Sequence, residues 1–133
     1  MQNFELTKDM LTIGGAFYPS GYIFAMFPRQ EDAQQVASRL SNETPEKPTL
    51  LLPAQTVLDK LPHTIVVADM PLPSVGIEAA SVREYVELAR QGHCALMVHA
   101  SKAKESEAVM ALIRSVPFSC AKKYRTLVIE DLS

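Results

Sequence analysis

The stretch Gly92-His93-Cys94-Ala95-Leu96-Met97-Val98-His99-Ala100, with the amphipathic run Ser101 to Val116 behind it, decides the fold. Cys94 to His99 is apolar enough to lie inside a sheet, and the polar residues after it pass into apolar positions at helical spacing. This is a strand feeding a helix, and the chain repeats it. Gly21 and Met26 stand five apart, as do Gly92 and Met97, so Ile23-Phe24-Ala25-Met26-Phe27 lines up with Cys94-Ala95-Leu96-Met97-Val98. Behind the first strand, Ala33, Val36, Ala37 and Leu40 fall at i, i+3, i+4 and i+7, one apolar stripe on a polar helix. Pro28 closes the strand, and Glu31 and Asp32 sit where a helix N-terminus favours negative charge. The helices come into line once about one extra turn is allowed in the second copy.

Each unit closes on another strand, Thr49–Leu52 in the first and Tyr124–Ile129 in the second. Two β-α-β units predict an α+β, ferredoxin-like sandwich, with the matching strands as parallel neighbours in the sheet centre and both helices on one face. The alternative is an open α/β sheet. The 133 residues make one domain. Residues 1–9 read as a loose arm, Met10–Tyr18 as extended, and Tyr18-Pro19-Ser20-Gly21 as a type I turn. Residues 53–92 are an insertion between the halves, with a strand at His63–Ala68 and helices at Ala54–Leu61 and Val82–Gln91. Ser81 and Glu84 have capping-box spacing, and Gly92 is a C-terminal stop.

The run from Phe24 to Leu40, followed by Tyr85 to Val98 and a second helix, resembles the small bacterial heat-induced general stress protein type. The resemblance spans residues 21–130 and rests on a strand, an "acidic-Ala" helix, a helix ending in glycine, and a strand running into a helix. It implies a ferredoxin-like fold of uncertain biochemical activity and carries no catalytic set. The Met70–Val75 loop and the N-terminal arm fall outside it.

Composition narrows the function. A net charge of −2 argues against a nucleic-acid-coating protein, because neutralising phosphates takes a clear basic excess. The N-terminal residues are polar and acidic, unlike a signal peptide, and no apolar run approaches the ~20 residues of a membrane span. Cytoplasmic location is the expectation, with Cys94 and Cys120 as buried free thiols. His93 and His99 would share a strand face about 20 Å apart at ~3.3 Å per residue, with Cys94 on the other face, so no metal site closes on them. Aromatics Tyr22, Phe24 and Phe27 on one central strand have no counterpart on Cys94–His99, which argues against an RNA platform.

Three functional readings follow. The first is a non-enzymatic, stress-related or regulatory module acting through self-association or small-ligand binding, without a cofactor. Its interface or ligand surface is expected at Phe17, Tyr18, Met70 and Leu72, with a homodimer formed through an open sheet face burying ~800 Å² per subunit. The second is a small enzyme with acid–base residues His99 and Asp69 at strand ends. The third is a weak RNA or anion binder using Lys102, Lys104, Lys122, Lys123 and Arg125.

Overall fold

The computed structural model describes residues 2–3, 17–43, 49–62, 75–125 and 128–133. In chain order these form β1 (Gln2–Asn3), β2 (Tyr22–Phe27), α1 (Gln30–Glu43), β3 (Thr49–Leu52), α2 (Ala54–Lys60), α3 (Val75–Arg90), β4 (Cys94–His99), α4 (Ala103–Ile113), β5 (Cys120–Tyr124) and β6 (Ile129–Asp131). The class is α+β. One sheet runs β1-β3-β4-β2-β5-β6, antiparallel except for the two-residue β1 beside β3.

The repeated strands β2 and β4 are neighbours at the sheet centre, as expected, but they are antiparallel: Tyr22 opposes His99 and Phe27 opposes Cys94. The reason lies in how the units interlock. The chain from β2 through α1 to β3 leaves a gap one strand wide, and β4 fills it, starting at the end of the sheet where β2 and β3 finish. The chain from β4 through α4 to β5 likewise straddles β2. Each unit inserts its first strand into the other.

Side-chain alternation in the central strands divides the core into two layers. Ile23, Ala25 and Phe27 with Cys94, Leu96 and Val98 face α1 and α4, where the stripe Ala33, Val36, Ala37 and Leu40 and the residues Val109, Met110 and Ile113 bury against them. Phe24 and Met26 with Ala95 and Met97 face the other way. That second face is the one expected to be open, and it is covered. Val57 and Leu61 from the α2 region, with Val82, Tyr85, Val86 and Ala89 from α3, close over it. The reason for expecting a homodimer through an open sheet face falls away, because the insertion already removes that apolar surface from water.

Several local expectations shift for physical reasons. Tyr22 N–H donates to Pro19 O at 3.1 Å, so the turn runs Pro19–Tyr22, one residue later than the type I reading. It puts Gly21 at the third position with φ +84, the conformation a type II turn reserves for glycine. Ser81 starts no helix. Glu78, Ala79 and Ala80 before it are ordinary or strong helix formers, and α3 runs back through them to Val75. Gly92 does stop α3: at φ +92 it donates to Ala89 O at 2.9 Å while His93 N–H reaches Leu88 O at 3.1 Å, a Schellman closure.

The expected final strand is a hairpin. β5 begins at Cys120, turns at Arg125, whose N–H donates to Val128 O at 2.9 Å, and returns as β6. Residues 2–3 of the supposed loose arm pair with Leu50 and Leu51. The expected strand His63–Ala68 and nearly all of Met10–Tyr18 lie outside the described residues. No helix among the described residues is long and apolar enough to cross a membrane.

Candidate functional site: a cationic cleft at one end of the sheet

β2 starts, and β4 and β5 finish, at the same end of the sheet. Gly21 ties the three together. Its N–H donates to Tyr124 O at 2.8 Å, and its carbonyl accepts from Ala100 N–H at 2.9 Å. The Tyr18 hydroxyl donates to the Arg125 carbonyl, holding the hairpin turn from outside. Around this frame lies a cleft of about 480 Å³ lined by Ser20, Gly21, Ser101, Lys123, Tyr124, Arg125 and Val128. A second cavity of about 310 Å³ shares Ser101, Lys123 and Arg125 and continues along α4 past Ser106, Glu107, Met110 and Arg114 to Glu130 and Leu132.

The central group is Lys123. Strand alternation points it at the α4 layer, opposite to Lys122, and leaves it 6% exposed. Its Nζ donates to Ser106 Oγ at 2.6 Å, its one hydrogen-bond partner among the described residues. The Ser106 hydroxyl in turn shares its one hydrogen between the carbonyls of Ala100 and Lys102, at 3.1 and 3.2 Å. Among the described residues no carboxylate lies within ion-pair distance of Lys123. An ammonium with a neutral hydroxyl as its partner is an unusual thing to bury, because desolvating an uncompensated ion costs several kcal/mol, by order of magnitude.

Two further features add positive potential. Arg125, at the turn, reaches Glu130 Oε2 at 3.7 Å across the hairpin, with both side chains about half exposed. Such a pair contributes roughly 0–1 kcal/mol and yields to a better partner. The start of α4 is the second. Lys102 occupies the cap position, and no side-chain oxygen caps the helix. The Lys102 N–H does donate to Glu105 Oε1 at 3.2 Å, half of a capping box that a lysine, having no acceptor, leaves incomplete.

Of the five basic residues read as an anion surface, Lys123 and Arg125 are brought together. Lys122 is not. It lies on the opposite face, donating to Glu84 Oε2 at 2.7 Å and standing 5.6 Å above the Tyr85 ring. Lys102 and Lys104 are exposed and line neither cavity. Phe17, expected on an interface, is fully buried against Phe24 and Tyr124, a correction that follows from the covered face. Tyr18 is half-buried, edge-on to Tyr124 at 5.0 Å. Met70, Leu72 and Asp69 lie outside the described residues. His99 is half-buried and edge-on to Tyr22 at 5.3 Å, where its ring would meet a Cβ added at Gly21, and it lines neither cavity. Ser20, Ser101 and Ser106 were not legible as cleft residues, since only the fold brings Ser106 to Lys123 and sets the other two along the same lining.

The opposite sheet end offers His93, whose Nδ1 stands 2.5 Å from Ser119 Oγ. No group of three His, Cys, Asp or Glu side chains that could hold a metal occurs among the described residues. Both thiols are free and buried. Burial, with Asp32 and Glu31 nearby, pushes Cys94 up to about 11, and burial, reinforced by Glu84, pushes Cys120 up to about 12. Both therefore stay neutral near pH 7, and neither is a poised nucleophile. A thiol whose folded pKa is raised destabilises the fold at alkaline pH. From the ordinary value of 9.0 up to about 11 the unfolded chain releases protons that the folded chain retains. Stability should fall there by up to ~1.4 kcal/mol per pH unit for each thiol. Urea unfolding between pH 8 and 11 measures the slope, and a Cys94→Ala, Cys120→Ala chain should flatten it.

In comparison with known proteins, no family model, curated protein or solved structure matches the chain.

Proposed function

We propose that this chain is a non-enzymatic, ferredoxin-like module that binds a small anion in the cleft where Lys123 and Arg125 meet the start of α4. The strand order β3-β4-β2-β5, made by two interlocked β-α-β units with α1 and α4 on one face, supports the ferredoxin-like reading. The anion reading is carried by one observation: Lys123 is buried with a serine hydroxyl as its partner, beside a cleft whose charged lining among the described residues is entirely cationic. A buried cation with spare donors is a position that a ligand anion can complete. Buried free thiols fit a cytoplasmic protein. In the setting implied by the resemblance to heat-induced general stress proteins, the module would sense or carry an anionic metabolite.

Titration of the ¹⁵N-labelled protein with inorganic phosphate, at ionic strength held constant with chloride, tests this. Saturable amide shifts are expected at Gly21, at Ser101 to Ala103 and at Arg125. Shifts that never saturate, or that spread over exposed lysines such as Lys104, would sink the reading.

A further inference from the structure

The two cavities meet at Ser101, Lys123 and Arg125, yet their charge differs. The larger is lined by Lys123 and Arg125 without a described carboxylate. The smaller adds Glu107 and Glu130 together with Arg114, over an apolar floor of Met110 and Leu132. Arg114 is already engaged, donating from Nη2 to Leu132 O at 3.1 Å. The carboxylates of Glu107 and Glu130 are therefore the acceptors on offer. The first cavity presents only cations among its described charged groups, whereas the second mixes three cations with two carboxylates and so offers hydroxyl groups acceptors that the first lacks. A ligand with an anionic head and a neutral body rich in O–H donors suits both.

Resting on the anion-binding reading above, we propose that the ligand is a phosphate monoester of a small polyol or sugar. Its phosphate lies between Lys123 and Arg125 and draws Arg125 away from Glu130. Its hydroxyls donate to Glu107 and to the Glu130 carboxylate so released, while its C–H face rests on Met110 and Leu132. Three observations select this class. Carboxylates accept hydrogen bonds from hydroxyl groups, and a second fully ionised phosphate has no donor to give Glu107 or Glu130. No aromatic residue lines the smaller cavity among the described residues, so a nucleobase finds no ring to stack on. Its volume, about 310 Å³, suits a small body.

The experiment compares inorganic phosphate, ribose 5-phosphate, free ribose and adenosine 5′-monophosphate by calorimetric titration of the whole chain. Ribose 5-phosphate should bind at least ~10-fold more tightly than phosphate, an increment of about 1.4 kcal/mol, with ribose alone not detected. Glu107→Ala should collapse that ratio toward one, whereas Lys104→Ala, on the exposed side of α4, should leave it intact. Equal affinity for phosphate and ribose 5-phosphate overturns the sugar-phosphate assignment and leaves the anion site standing. Tighter binding of the nucleotide than of ribose 5-phosphate overturns it in favour of a base-reading pocket. Absence of binding by every phosphate overturns the anion reading itself, and this proposal with it.

Discussion

Lys123→Met is expected to weaken phosphate binding sharply without weakening the fold. Methionine keeps the length and apolar stem of lysine and removes the ammonium. On the ligand side, a charge-assisted hydrogen bond to an anion contributes about 1.5–3 kcal/mol, so affinity should drop roughly 10- to 100-fold. On the folding side, Lys123 as a residue is buried and its ammonium leans on Ser106 Oγ, which keeps its own bonds to Ala100 and Lys102 after the change. Removing an uncompensated buried charge should leave stability unchanged or raise it by up to ~2 kcal/mol. A structural lysine behaves in the opposite way. If urea unfolding shows a clear loss of stability while the phosphate-induced shifts persist, Lys123 is a core strut and the cleft has no claim to a ligand.

Phe24→Ala should produce the largest loss of stability, about 3–5 kcal/mol. Phe24 is fully buried on the central strand β2, stacked on Tyr85 of α3 at 4.1 Å and edge-on to Phe17 at 5.7 Å. Tyr85 is committed to the same contact. Its hydroxyl shares a proton with that of Tyr124 at 2.7 Å, and burial, with Tyr124 close by, holds its phenol well above the ordinary range. On an open sheet face Phe24 would be half in water and its truncation would cost far less. The midpoint of urea unfolding therefore reports directly on whether α3 seals this layer. A loss below ~1 kcal/mol would mean that it does not. The lesion is on the face away from α4, so the Lys123 cleft should still bind phosphate in the folded fraction.

Much of the architecture was legible in the residues. Ala33, Val36, Ala37 and Leu40 bury along one stripe as their spacing demands, because helical periodicity is a local property and needs no partner to be read. Gly92 ends α3 for a similarly local reason, its freedom to adopt φ +92. The errors came where a distant element intervenes. Cys120-Ala121-Lys122-Lys123 looks too polar for a strand. Yet Lys122 finds Glu84 on one face and Lys123 finds Ser106 on the other, and these partners 38 and 17 residues away make a strand of it. The cleft was half legible. Lys123 and Arg125 are two apart, the spacing that puts alternate strand residues on one face, while adjacent Lys122 had to point elsewhere.

By itself, then, the sequence determined the repeating strand–helix units and the positions of their apolar stripes, since both depend on spacing along a single segment. Tertiary structure alone decided that β2 and β4 run in opposite directions, that the insertion closes the second sheet face, and that Ser106 meets Lys123 beside a cleft that Ser20 and Ser101 also line. Those outcomes depend on which distant segment packs on which surface, and no local pattern carries that information.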